Sequence, residues 1–315
     1  MSEGNDKVEK AFIVEEKKRG HLIDGRSIAK MTRDEVRERS KLLSERGVRP
    51  KLSVILIGGH PPSQIYVKYK LRAADEIGIL TEVHRFDEDV KLDTLQRCIS
   101  ELNADSEVHG ILVQLPLPSH ISSNEAWTLV ESVSPHKDVD GLHPLNQGLI
   151  GLSAGSPERP EQGFVACTPL GCLRLLRETL GNLSGKRAVV IGRSRIVGRP
   201  MAALLTAANA TVTLCHSRTA SLAEHLKGAE IVVAAAGIPR FINAEMLSAG
   251  VTVIDVGIHR LDDGSLCGDV DFESVKDIAG AISPVPGGVG PMTIASLMSN
   301  VCLAAERAAE QSSLH

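Results

Sequence analysis

The sequence predicts an α/β protein of two domains, an N-terminal α/β domain and a Rossmann-like domain with a parallel sheet, with a cleft between them. Three observations carry that class. Strand-like and helix-like stretches alternate from about residue 21 to the end of the chain, the pattern of parallel sheets covered by helices. A Gly/Ser/Pro-rich stretch at 148–163 interrupts the alternation and is the expected hinge. Residues 186–218, KRAVVIGRSRIVGRPMAALLTAANATVTLCHSR, read as strand, glycine turn, helix and strand. At 315 residues, two domains of ordinary size are the default.

The elements follow in order. A helix at 27–47 precedes a short apolar strand at 51–57 (KLSVILI), Gly58-Gly59 and a helix at 62–77. Residues 80–86 alternate with period two, 91–104 are amphipathic, and 110–115 (GILVQL) form a strand closed by Pro116 and Pro118. Beyond the hinge come a helix at 169–180, a buried strand at 188–191 and a helix from Gly198, where Pro200 is tolerated close to the start. Strands at 210–215, 231–235 and 251–256 follow. The last helix, 293–310, is amphipathic and is expected to pack back on the first domain. The first twenty residues mix acids and bases without an apolar run, so they are expected to be a flexible leader, neither a secretory signal nor an acid-poor transit peptide.

Composition narrows the function classes. Aromatic residues make up 3% of the chain and the net charge is −4, which gives neither stacking platforms nor a basic footprint for nucleic acid. No apolar stretch reaches the roughly 18–20 residues that span a bilayer. The six cysteines, at 98, 167, 172, 215, 267 and 302, show no metal-ligand spacing, so no metal is expected; their scatter suits reduced thiols in a cytoplasmic protein.

The turn at 192–198 has the form G-x-S-x-x-x-G, a departure from the dinucleotide G-x-G-x-x-G. Its expected chemistry is a pyrophosphate held by backbone N–H groups at a helix start, between Gly192 and Gly198 and beside Ser194. An NAD site places an acid after the second strand to hold the ribose 2′-hydroxyl. This chain has Cys215-His216-Ser217-Arg218 there. With Arg193, Ser217 and Arg218 would accept a 2′-phosphate that an acid would repel, so the expected cofactor is NADP. Ile258, beyond the strand at 251–256, completes the expected cofactor-binding set.

Four further constellations could carry chemistry. Ser63, Tyr66 and Lys70 share one helix face after a Gly-Gly turn, which suits a ligand crevice; a solvated lysine beside a half-buried tyrosine fits the same letters. Gln114 ends a buried strand and offers one acceptor and two donors, or is simply the hydrogen-bonded end of that strand. The acids of Lys137-Asp138-Val139-Asp140-Gly141 form either a turn or a grip on an amide-rich heterocycle. Residues 284–291 hold three glycines and three prolines, a shaped loop or an interdomain linker.

In this order, the segments YVKYK, VQLPLP, KDVDG, GRSRIVGRP and PVPGGVGPMT resemble the bifunctional methylenetetrahydrofolate dehydrogenase/methenyltetrahydrofolate cyclohydrolase family, from about Leu22 to the last helix. The resemblance implies a folate-binding catalytic domain at 21–165 plus 293–315, a Rossmann-like NADP-binding domain at 166–292, and a homodimer. It implies Lys70 as the catalytic lysine, with Tyr66, Gln114 and Asp140 completing the catalytic set. Tyr66 would be the ring beside the folate, Gln114 the side chain that orients the lysine, and Asp140 the pterin anchor. Ser63, Gly287 and Gly288 would join Tyr66 and Asp140 in binding substrate. Two departures stand out: ACTPLG begins with Ala166 where the family usually has proline, and the leader has no family counterpart.

The implied activity is NADP-dependent oxidation of 5,10-methylenetetrahydrofolate, then hydrolysis of 5,10-methenyltetrahydrofolate to 10-formyltetrahydrofolate. Three alternatives stay open from the residues: an NAD-linked monofunctional dehydrogenase of the same family, a two-domain oxidoreductase acting on an amino or keto acid, and a non-catalytic folate- or NADP-binding regulator.

Overall fold

The computed structural model of the chain describes residues 21–153, 158, 160 and 162–312. The leader expected at 1–20, the tail at 313–315 and part of the expected hinge (154–157, 159 and 161) lie outside the described residues.

Strand β1 (His21–Leu22) leads into α1 (Gly25–Glu45), capped by Asp24, whose Oδ1 accepts from Arg26 N at 3.0 Å and Ser27 N at 3.2 Å. There follow β2 (Lys51–Ile57), α2 (Pro61–Ile77), β3 (Leu80–Phe86), α3 (Leu92–Ala104) and β4 (Gly110–Val113). The last strand is shorter than 110–115. Gln114 N still bonds Ile55 O at 2.9 Å, but ladder pairing stops there as the prolines turn the chain away. Helix α4 (Ser123–Glu131) starts in a Ser122/Glu125 capping box, and α5 (Pro144–Leu152) starts on a proline with the His143 ring accepting from Leu145 N. Residues 148–152 of the expected hinge are therefore helical, with the helix ending at Leu152.

The second half contains α6 (Cys167–Leu180), β5 (Arg187–Ile191), α7 (Gly198–Ala207), β6 (Thr211–Cys215), α8 (Leu222–Leu226), β7 (Ile231–Ala234) and β8 (Thr252–Asp255). A small hairpin, β9 (His259–Arg260) with β10 (Leu266–Cys267), precedes α9 (Phe272–Val275), β11 (Ala281–Ile282) and α10 (Val289–Ser312). The last helix thus begins at Val289, inside the glycine-proline loop, and not at 293.

Two parallel sheets result, in the order β3-β2-β4 and β1-β11-β8-β7-β5-β6. This is the predicted two-domain α/β class. Strand β1 precedes the small sheet in the chain yet closes the edge of the large one.

Each sheet has a point where strand order reverses, and crevices form there beyond the strands' carboxyl ends. In the small sheet it lies between β2 and β4, and in the large sheet between β5 and β7.

Helices α1, α2 and α10 cover one face of the small sheet, α3 and α4 the other. Helix α10 spans both halves: Val289, Met292 and Ala295 join the core formed by α6 and α7 on the large sheet, while Leu297, Met298 and Val301 fill the core under β2. Among the described residues, no helix is long and apolar enough to cross a membrane.

Candidate active site

The small sheet's switch point brings together the residues that α2 and the end of β4 carry. Ser63, Val67 and Lys70 are buried along one side of α2, as their spacing requires. Lys70 is 5% exposed, and its Nζ donates to Gln114 Oε1 at 2.9 Å. Gln114 Nε2 in turn donates to the Leu115 carbonyl at 2.7 Å, which fixes the amide with its oxygen toward the lysine. The Tyr66 ring lies one turn earlier on α2, with its centroid 5.1 Å from Lys70 Nζ. Ser63 is buried and bonded to the His60 ring at 3.0 Å, so it braces the start of the helix.

Asp140 reaches the same place by a different route. The segment 137–139 runs beside β4 as a further strand position, with Asp138 opposite Ile111 and Ile111 N bonded to Lys137 O at 2.8 Å. Asp138 turns inward and accepts from Leu142 N (3.2 Å), His143 N (2.8 Å) and Asn146 Nδ2 (2.8 Å). Burial outweighs these donors and pushes its carboxyl up to about 6. Asp138 is therefore the structural member of the acid pair. Asp140 is half-buried, and its charge acts on Lys70. Burial pulls the Lys70 ammonium below the usual lysine range, and the Asp140 charge opposes that pull. Burial likewise pushes the Tyr66 phenol up to about 12, so it is a neutral ring with a hydroxyl.

Two neighbours escaped the sequence. Cys167, at the start of α6, is fully buried and feels both Lys70 and Asp140; burial pushes its thiol well up, so it is an inert filler. Thr293 on α10 bonds Thr168 on α6 at 3.0 Å and lies against the Tyr66 hydroxyl. ACTPLG and PMT were visible as motifs, but nothing local aims these side chains at Lys70. The loop 284–290 closes this side of the site: Tyr66 hydroxyl donates to Gly290 O at 3.3 Å, and Gly288 N bonds Pro284 O at 2.9 Å. Gly287 has φ +112°, and Gly288 O packs on Gly25 so closely that a Cβ there would lie 1.9 Å away.

The large sheet's switch point carries the glycine turn. A Cβ on Gly192 would meet Ala235 O at 2.0 Å, and one on Gly198 would meet Gly192 O at 2.0 Å, so neither position admits a side chain. The helix start differs from expectation. Gly198 N donates to Ser194 Oγ at 3.3 Å and Arg199 N to Ser194 O at 3.1 Å, while Pro200 has no N–H. Within the turn 192–199, the amides left without a protein acceptor are those of 193–196 in the loop itself. Ile191 pairs with Cys215, so Arg193 and Ser217 each stand two residues beyond adjacent strand ends; both are exposed, as is Arg218. Free amides, a cradle closed to any Cβ and basic groups in place of an acid fit a dinucleotide with a 2′-phosphate.

Behind this crevice lies a second group that the motifs did not reveal. Asp255 accepts from Gly257 N, Asp269 N and Val270 N, and Asp269 joins the His259 ring (2.7 Å) to Gly237 N (2.9 Å). The loops after β7 and β8 are thereby fixed, and Ile258 is held outward at 64% exposure.

Comparison with known proteins agrees with this arrangement. A family model described as the tetrahydrofolate dehydrogenase/cyclohydrolase catalytic domain matches residues 23–140, and one described as its NAD(P)-binding domain matches residues 166–309. The chain is 49% identical over 288 residues to a protein named bifunctional protein FolD from Acidovorax sp. strain JS42, covering 91% of this chain and 98% of that one. Its structure is similar to that of the bifunctional enzyme FolD from Campylobacter jejuni, with a TM-score of 0.86, 44% identity, and coverage of 91% and 98% of the two chains. It is also similar to the Trypanosoma brucei methylenetetrahydrofolate dehydrogenase-cyclohydrolase solved with NADP and an inhibitor, with a TM-score of 0.85, 36% identity, and coverage of 92% and 99%.

Proposed function

The chain belongs to the tetrahydrofolate dehydrogenase/cyclohydrolase family, and from that premise we propose how its residues divide the family's two reactions. The enzyme oxidises 5,10-methylenetetrahydrofolate with NADP and hydrolyses the resulting 5,10-methenyltetrahydrofolate to 10-formyltetrahydrofolate. NADP, when bound, supplies the hydride acceptor. The observation that carries the residue assignment is the buried Lys70–Gln114 pair at the small sheet's switch point.

In the oxidation the protein's work is positional: one half holds each reactant and fixes distance and approach. Asp140 anchors the pterin amide edge, the Tyr66 ring lies along the folate, Ser63 supports the helix beneath it, and Gly287 and Gly288 let the loop backbone approach the substrate. Gly192, Arg193, Ser194, Gly198, Ser217, Arg218 and Ile258 hold the nucleotide, with Arg193 and Ser217 on the 2′-phosphate.

In the hydrolysis Lys70 is the general base. Burial and the cationic methenyl ring both favour its neutral amine, which takes a proton from the attacking water as the oxygen bonds to the methenyl carbon. The carbon–N5 bond then breaks, N5 takes a proton, and the hydroxyl proton leaves as the formyl carbonyl forms. Gln114 orients the amine without adding charge. On this reading residues 21–165 with 293–315 form the folate-binding catalytic domain, and 166–292 form the NADP-binding domain.

Two finer assignments complete the reading. We place the enzyme in the cytoplasm, in keeping with six free thiols, and as a homodimer, in keeping with the open edge of β3. The NAD-linked monofunctional alternative needs an acid beyond β6, where this chain has Ser217-Arg218.

The decisive assay follows reduced nucleotide and methenyl intermediate together after mixing enzyme, 5,10-methylenetetrahydrofolate and NADP or NAD. The expected result is NADPH formation with little methenyl accumulation and faster reduction of NADP than NAD. Methenyl rising in step with NADPH would remove Lys70's hydrolytic role. Arg193→Ala should raise KM for NADP at least tenfold and for NAD far less; equal effects would mean the 2′-phosphate is read elsewhere.

A further inference from the structure

Arg195 sits in the middle of the loop after β5, yet its side chain points away from the cofactor half. The guanidinium lies over the Trp127 ring, 4.0 Å from the centroid, and Nη2 donates to Glu131 Oε1. Trp127 and Glu131 are one turn apart on α4 and share a face. The Arg195 carbonyl accepts from Gln147 Nε2 on α5 at 2.8 Å. Three contacts from two helices of the folate half therefore converge on one residue of the loop. Their partners are 48 and 64 residues away in sequence, so they are cross-links between the halves and not local turn contacts.

The partners are braced. Trp127 packs on the core formed by α3, α4 and β4, which makes its ring a fixed shelf. A planar guanidinium stacked on an indole and paired with a carboxylate is a directional contact that lysine does not reproduce. None of the three side chains touches the Lys70 site, and the hydrolysis does not use them.

We infer that Arg195 is a positioning residue: a strut that fixes the cofactor-phosphate loop to α4 and α5 and so sets the separation of nicotinamide and folate. Misplacement of reacting groups by about 1 Å costs on the order of a hundredfold in rate. Hydride transfer depends on that separation; hydrolysis in the folate half does not. The inference rests on the assignment of the loop 192–197 to the cofactor.

The test compares wild type with Arg195→Ala, Arg195→Lys, Glu131→Gln and the Arg195→Ala/Glu131→Gln double variant. One readout needs no cofactor. Acrylamide quenching of Trp127, the chain's one tryptophan, should become at least about twofold more efficient in Arg195→Ala as the shelf is uncovered. Dehydrogenase kcat should fall about tenfold or more in Arg195→Ala and nearly as far in Arg195→Lys, with a larger isotope effect from deuterated methylene substrate. Cyclohydrolase activity on added methenyltetrahydrofolate should stay within twofold. Glu131→Gln should show a smaller loss, and the double variant no more than Arg195→Ala alone. Unchanged quenching, an unchanged dehydrogenase kcat, or equal loss of both activities would each overturn the strut. Arg193→Ala separates the two levels: if it raises KM for NADP while Arg195→Ala is silent, the strut fails and the loop assignment stands. If neither variant alters NADP binding by calorimetry, the loop assignment itself fails.

Discussion

Lys70 is almost fully buried, which for an ammonium is unfavourable unless a partner or the neutral form relieves it. Its hydrogen-bond partner is the uncharged Gln114, so burial pulls the ammonium below the usual lysine range and only nearby charge, that of Asp140 foremost, opposes the pull. The sign of the pH effect follows from the proposed base role: if the active form is the neutral amine, cyclohydrolase rate rises with pH and levels off below the ordinary lysine value of about 10.4. Lys70→Met should abolish hydrolysis, a loss of about 10²–10⁴-fold for a removed general base, with NADP affinity unchanged. Gln114→Glu is the sharper test. A carboxylate in place of the amide stabilises the ammonium, moves the rate profile to higher pH and lowers activity at neutral pH at least tenfold. A profile that stays in place would take the base role from Lys70. At this scale the sequence was partly legible. The spacing of Ser63, Tyr66 and Lys70 set their common face, but the Lys70–Gln114 bond joins residues 44 apart, so local pattern does not announce it and only the family resemblance pointed to it. The Arg195 strut was hidden for the same reason.

At the scale of elements, α10 holds the site together from behind. Asn300, buried in its middle, donates one amide hydrogen to Val139 O at 2.8 Å and another to Val165 O at 2.9 Å. These carbonyls belong to the segment carrying Asp140 and to the entry into α6. Removing the amide leaves Val165 O unsatisfied, at a cost of about 1–3 kcal/mol, and leaves Val139 O with only the weak thiol donor of Cys167 at 3.2 Å. Asn300→Ala should lower the urea midpoint accordingly and raise KM for folate as Asp140 loses its support. A stability loss without a KM change would mean that Asp138 alone fixes the segment. The long elements were readable from the letters, and β2, β3 and α2 lie within a residue of expectation. Strand β2 is a mainly apolar run buried from Leu52 to Ile57, and α2 buries residues at helical spacing. The alternation expected of 80–86 is not matched by burial, since β3 is an edge strand with no fully buried residue. The pieces that pattern does not predict are short or non-local. Helices α4 and α5 have nine residues each, and β1, β9, β10 and β11 have two, held by partners distant in sequence or by a tight hairpin. Helix α10 starts earlier than the pattern predicts because the glycine-proline run 284–291 reads as loop throughout, while burial of Val289 and Met292 against α6 imposes helix on its second half.

At the scale of the whole molecule, the small sheet leaves one edge open. Among the described residues, β3 pairs only with β2. Leu80 N bonds Pro50 O and Phe86 O accepts from Gly58 N, so the even-numbered residues of β3 direct their backbone groups toward β2. Alternation along a strand then sends the N–H and C=O groups of Thr81, Val83 and Arg85 outward. An exposed row of this kind pairs with another chain unless something covers it. In the homodimer proposed above, a second copy across a two-fold axis would supply an identical row, giving a continuous sheet through both subunits. Val83→Pro tests this cleanly: it deletes one outward donor at the centre of the edge and leaves the β2 ladder intact. Light scattering after size exclusion should give twice 33.7 kDa for the wild type and 33.7 kDa for the variant. Cyclohydrolase activity should persist in the monomer, because Lys70, Gln114 and Asp140 all come from one chain. A variant that remains dimeric would place the interface elsewhere. A monomer without activity would mean that the second subunit, through β3 and β2, holds the switch point in shape.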